Sequence, residues 1–572
     1  MMHRPVRRPA ARPGRLAFST LVAALAAALA LAGCGDDTQP DYWVKKLDDP
    51  SSRVDAVKRL MQFYEEGLTK AGQKREAPEV KALADKIIGP MAKTYASGDL
   101  DERTRVELLR ALAGTRDPSA REAIVKALND YAAGKATPEE AKQAATYVKQ
   151  VKPAGAADAV YAAYAKTKVT DDKARIAAAP LHDAMVALSD PSWKGKLVEA
   201  LTRPLDPKSP ERRDEVYWQS VAAEVLGEIK APEAVRPLFR VLLSPEKREV
   251  AIAPPGPVVS LIKIGKGAVG PMVDVLSGKD TEMADLAKAS AGGDPIKLDA
   301  HLSNAAIVLG SIGRAEALPA FANALGRIER DVTRAIVGRE VAKLPASPEG
   351  IKAFQGAYER IKGPAPLPPD NSPARADMAG WSAQFMDASL VPWLVKQVKE
   401  SKGEPEERDA VQIALLKAAI KLMKKDQMAA VQPLVNAEGT EREKQEYKQA
   451  AAVLDACADK AECYVGKLDN PAWAEADAPD SYSGVKAAFM AGVLGTEATR
   501  GELVKRLPKM KNASIKFVIL LAIDHLSPKG DAKLADELQK LYDADRSRDD
   551  EALNRANAPM LQIIPRLRAR AS

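Results

Sequence analysis

From residue 42 onward, apolar residues return at three- and four-residue spacing in short runs, the period of one buried helix face, and each run is broken by Gly, Pro, Asp or Ser. The segment Ala222–Leu242 (AAEVLGEIKAPEAVRPLFRVL) can be laid over Ala305–Leu325 (AAIVLGSIGRAEALPAFANAL) without a gap. Leu226 meets Leu309, Gly227 meets Gly310, Ile229 meets Ile312 and Leu242 meets Leu325. A shortened copy lies at Leu261–Leu276 and an earlier one at Leu108–Leu128. Elements roughly 38 to 45 residues apart signal stacked helix pairs. Each pair follows one grammar. A first helix ends near Gly or another small residue, where a left-handed cap is cheap. Pro, Asp or Ser then starts a second amphipathic helix, as at Asp117-Pro118-Ser119, Asp190-Pro191-Ser192 and Ser527-Pro528. Gly114, Val151, Ser189, Gly227, Gly265, Gly310, Ala456 and Gly495 are the expected turn markers. One hairpin cannot cover its own apolar face, so the units must stack on one another.

This pattern resembles the HEAT-repeat superfamily, particularly the short units of the phycobilisome-lyase-like type, over approximately residues 42–545. The resemblance implies an all-α fold, a right-handed α-solenoid of HEAT-like helical hairpins with roughly twelve units. It says little about function, because such hairpins serve scaffolds, adaptors and a few enzymes alike. The expected divisions are a leader at 1–33, a tether at 34–41, an N-terminal solenoid at 42–362, a Pro-rich insertion at 363–373 and a continuing solenoid at 374–572. Two further interruptions, Ala253–Pro257 with Gly292-Gly293 and Asn470–Gly484, are expected at the edges, either as binding loops or as slack in the stack.

Composition agrees with closely packed helices: 46% of residues are apolar and only 5% aromatic, which leaves the small helix former Ala and Leu to fill the interior. The net charge of +7 hints at nucleic acid until its place is considered. Five arginines (Arg4, Arg7, Arg8, Arg12, Arg15) lie before residue 34 with no acid among them. Without them 80 basic residues face 78 acidic ones, and so small a balance gives no counterion-release drive toward nucleic acid.

Those arginines precede an uncharged stretch, Leu16 to Leu31, and then Leu31-Ala32-Gly33-Cys34. A basic region, an apolar region and small residues before a cut site form a secretory leader. The apolar run falls short of the ~20 residues that span a bilayer. Leu-Ala-Gly-Cys resembles the bacterial lipoprotein lipobox, which implies acylation of Cys34 and a folded body anchored to a membrane and facing the periplasm. Gly35, in place of an Asp after the cysteine, favours the outer membrane over the inner.

Catalytic chemistry is not evident. His182, His301 and His525 stand far from one another and from any Cys, so no zinc-ligand spacing occurs. Neither a phosphate-binding Gly loop nor a G-x-S-x-G elbow is found. The expectation is a protein that is no enzyme, with no cofactor, no metal and no small-molecule substrate. Cys457 and Cys463 flank a turn, where their Cα atoms come within disulfide reach, and an oxidising periplasm favours the bond over two free thiols. The leading reading is a non-enzymatic scaffold whose second helices line a concave surface for another envelope protein. Its alternative is a glycan-binding module or enzyme that uses Trp473, Asp477 and Asp480. Basic residues recur in the expected second helices: Arg121 and Lys126, Arg236 and Arg240, Lys396 and Lys399, Lys505 and Lys509. In register they would make a basic strip for an acidic partner. A solvated face with Glu122, Glu233, Glu400 and Glu502 interspersed is the competing expectation.

Overall fold

The computed structural model describes residues 36–571 except 99, 254, 295–296, 364, 368–371, 402–403, 476–479, 547 and 549. Cys34 lies outside the described residues. Among those described, the strands are a single two-residue pair, Pro366–Leu367 antiparallel to Ser372–Pro373, and no helix is long and apolar enough to cross a membrane. The helices are arranged as stacked hairpins. They fall into two compact units divided after Leu188.

In the first unit the two layers are regular. The first helices Arg53–Lys70, Glu102–Thr115, Pro138–Val151 and Arg175–Leu188 pack each on the next. The second helices Pro78–Ala96, Arg121–Ala132 and Ala157–Lys166 form a parallel row. Asp101 and Thr137 cap their helices by accepting from the backbone N–H of Thr104 and Glu140. Buried Glu140 also accepts from Tyr95 Oη at 3.1 Å and Arg105 Nε at 2.9 Å, tying three helices together.

The second unit repeats this scheme and then closes. Its first helices include Arg212–Glu228, Gly256–Ile264, Ala300–Ile312, Asp331–Val341, Pro405–Leu422, Tyr482–Leu494 and Ala513–His525. Some are buried on every side, as in the unbroken buried run from Gly484 to Gly492, and therefore lose the one-sided apolar pattern. The C-terminal helix Met560–Ala571 packs back on Gly256–Ile264 and Ala300–Ile312 as well as on Ala513–His525. The second helices were expected to line a concave surface; in this unit the returning helix packs on first helices instead.

The turn chemistry differs from expectation in an informative way. Gly227 and Gly310 lie inside their helices, and the left-handed residues come three positions later, at Lys230 (φ 56°) and Gly313 (φ 72°). What requires glycine at 227 and 310 is close approach. A Cβ on Gly227 would lie 2.7 Å from Ser260 Cα, and one on Gly310 would lie 3.0 Å from Glu340 Cβ. In both repeats the glycine is where the next first helix crosses. Arg116, Lys152 and Ala458 likewise take the positive φ after their first helices, whereas Ser189 and Gly265 do so at the expected marker itself.

The Pro-rich insertion expected at 363–373 falls within the second unit. The chain is held across it: Lys362 and Gly363 N–H donate to Asp331 Oδ2 at 2.9 and 3.2 Å, and Arg375 stacks on Tyr358.

Candidate interaction surfaces

The basic residues read from the sequence stand on the following elements. Arg236 and Arg240 project from Val235–Leu243, one turn apart. Arg236 Nη2 meets Glu282 Oε2 at 2.6 Å, its Nη1 bonds Asp280 Oδ2, and Arg240 Nη1 bonds Glu282 Oε1. Asp280 is buried and also caps Thr281–Ser290 through the Met283 N–H. These arginines therefore stitch one repeat to the helix that follows the next. The signal for this was Asp280-x-Glu282, about one repeat downstream of Arg236.

Lys126 pairs with Asp130 at 2.6 Å, Lys396 with Glu400 at 3.9 Å and Lys505 with Glu502 at 2.6 Å. Lys505 and Lys509 do not share a helix, contrary to expectation. The helix Glu497–Val504 ends before them and Lys509 sits in the short 3-10 turn Leu507–Lys509, because Pro508 lacks the N–H that a continuing helix needs. Lys399 and Lys509 are exposed and have no carboxylate partner within 4 Å among the described residues.

Asp477 lies outside the described residues. Asp480 Oδ1 accepts from Gln449 Nε2 at 3.0 Å, and the Trp473 ring lies against Gly484, 3.2 Å from where a Cβ there would stand. Cys457 and Cys463 are joined by a disulfide, with Cα atoms 5.4 Å apart across the turn between Glu441–Cys457 and Ala461–Lys467.

His301 is buried in Ala300–Ile312, its Nδ1 without a hydrogen-bond partner, and burial pulls its pKa below the usual range. His525 is lowered for the same reason. It borders a polar hollow of about 460 Å³ shared with Asp387, Lys424 and Asp426, residues from two turns that no local motif connects with each other or with the helix end that carries His525.

A family model described as PBS lyase HEAT-like repeat matches residues 104–130, the hairpin of Glu102–Thr115 and Arg121–Ala132. No curated protein matches the chain. Among solved structures, one described by the words "A conserved phosphorylation switch controls the interaction between cadherin and beta-catenin in vitro and in vivo" matches at 12% identity. It covers 92% of this chain and 98% of that one with a TM-score of 0.26, too low to transfer geometry or role.

Proposed function

We propose that this chain, which is a HEAT-like repeat protein, serves as a non-enzymatic scaffold, anchored by lipid at Cys34, facing the periplasm and binding another envelope protein. The observation that carries the reading is the succession of hairpins itself. Stacking consumes the apolar face of each helix pair, and what remains outward is a long array of polar positions. Arrays of this kind suit extended protein partners. The lipobox-like Leu31-Ala32-Gly33-Cys34 supports the anchor, and Gly35 supports the outer membrane over the inner.

Because Arg236 and Arg240 are engaged within the chain, Lys399 and Lys509 are the cations of the expected strip best placed to meet an acidic partner. Reversible crosslinking followed by capture should return one stoichiometric protein. Lys399→Glu with Lys509→Glu should reduce that capture several-fold and flatten its salt dependence. Retention of glycan without protein would overturn the scaffold reading. Metabolic palmitate labelling should mark the protein and fail in Cys34→Ser; labelling that persists would remove the anchor.

A further inference from the structure

The C-terminal helix Met560–Ala571 buries Met560, Ile563, Ile564 and Leu567. Between it and the helices Arg212–Glu228, Gly256–Ile264 and Ala532–Arg546 remains a cleft of about 300 Å³. Its apolar walls include Pro255, Val259, Leu561, Ile564 and Pro565, and Leu561 is 57% exposed at the edge. Both prolines lack an N–H, so they offer a ligand apolar contact and no backbone donor. The volume is at the lower end of small-ligand cavities.

The polar side chains of the lining are Glu228, Lys230, Lys263, Gln539 and Arg568. Lys263 bonds Glu228, and Arg568 Nη2 lies 2.9 Å from Asp536 Oδ1. Lys230, held at φ 56° just past the end of Arg212–Glu228, has no carboxylate within 4 Å among the described residues. Once the two pairs cancel, the lining keeps one positive charge.

We propose that this cleft binds an aliphatic chain ending in a carboxylate, with its methylenes along Val259, Leu561 and Pro565 and its anionic end near Lys230. This adds a small-molecule ligand to a chain expected from its sequence to have no small-molecule substrate, and it is independent of the scaffold reading. The apolar part of the lining selects hydrocarbon, and its excess cation, Lys230, selects an anionic head.

Straight-chain carboxylates from hexanoate to decanoate, below their micelle concentrations, provide the probe in calorimetric titration of the whole chain. Affinity should rise about fourfold for each added methylene that is buried. Val259→Trp, which fills the cleft, should weaken decanoate at least tenfold, and Lys230→Glu should weaken it several-fold. Leu561→Asp changes an exposed position and should also weaken binding tenfold with helicity unchanged, so it decides the matter if Val259→Trp fails to fold. Decyltrimethylammonium should bind more weakly than decanoate. Absence of binding, affinity independent of chain length, equal binding of the cation, or decanoate binding unchanged in Leu561→Asp would each overturn the proposal.

Discussion

Arg570 Nη1 lies 3.1 Å from Asp524 Oδ1, and the same guanidinium donates to the carbonyl oxygens of Gly313 at 2.8 Å and Lys343 at 3.0 Å. One side chain thus joins the last helix of the second unit to three helices, two of them more than two hundred residues earlier in sequence. Arg566 reinforces the join through Asp524 Oδ2 at 2.7 Å and Ser311 O at 3.2 Å. Burial pushes the Asp524 pKa up, but the two guanidinium charges outweigh it and hold the carboxyl below its usual range. The carbonyls of Gly313 and Ser311 belong to a helix C-terminus, where a cation is favoured and free acceptors need donors.

Arg570→Met therefore leaves a buried carboxylate and several carbonyls short of donors. The expected loss is about 3–5 kcal/mol, the range for breaking a buried ion pair from one side. Urea unfolding measures the loss, and limited proteolysis should release the C-terminal helix first. Asp524→Asn combined with Arg570→Met should cost less than the sum of the two single changes.

Glycines at 310 and 326 should respond oppositely to the same substitution. Gly310→Ala forces a Cβ to 2.6 Å from Glu340 Oε2 and 3.0 Å from the Glu340 carbonyl, and is expected to cost about 1–3 kcal/mol. Gly326, near the end of Leu318–Arg327, has nothing within 4 Å of an added Cβ, and Gly326→Ala should be neutral or gain up to about 1 kcal/mol. Thermal melts of the two variants check the contrast.

That contrast shows where the sequence was legible. The gapless overlay placed Gly227 on Gly310, and the structure gives both the same neighbour, the next first helix; only the reason for glycine differed. The Cys457–Cys463 bond was readable because its turn is local. The closure by Arg566 and Arg570 was not, since a repeat pattern speaks of adjacent units and these contacts span 255 to 257 residues. The pairing of Arg236 with Asp280 was hidden for a related reason. Helix-face reasoning lists charges along one helix, whereas the partner arrives from another helix 44 residues on.

Acid should weaken the second unit through its histidines. Burial lowers the pKa of His301 against the opposing pull of Asp299, and lowers that of His525 against Asp524. A folded-state pKa below the unfolded value of about 6.5 means that the unfolded chain takes up protons first as pH falls. Stability should therefore decline as pH drops below about 6.5 toward the folded-state values, by up to about 1.4 kcal/mol for each unit of depression. Urea midpoints at pH 7.5 and 5.5 test this, and His301→Asn should reduce the difference between them.

Lys486 makes the most demanding prediction. It sits in the buried run of Tyr482–Leu494 with no exposed surface, and burial pushes its pKa far below the usual lysine value. Its Nζ donates to three carbonyl oxygens, Ile420 and Lys421 at 2.9 Å and Met423 at 2.6 Å, which close the C-terminal end of Pro405–Leu422. Lys247 does the same elsewhere, donating to Arg203 O at 2.8 Å, Gln219 Oε1 at 3.0 Å and Leu201 O. A compact ammonium with three donors fits converging acceptors at a helix end, whereas the planar fork of arginine does not. Lys486→Met keeps the apolar stem and removes the donors, which leaves buried carbonyls at about 1–3 kcal/mol each. The expected total is at least about 3 kcal/mol, and Lys486→Arg should fail to restore it. Hydrogen exchange should locate the damage: amides at the end of Pro405–Leu422 should lose protection in Lys486→Met while those of Arg53–Lys70, in the other unit, keep theirs. Unchanged protection at residues 419–423 would show that the ammonium does not hold that helix end.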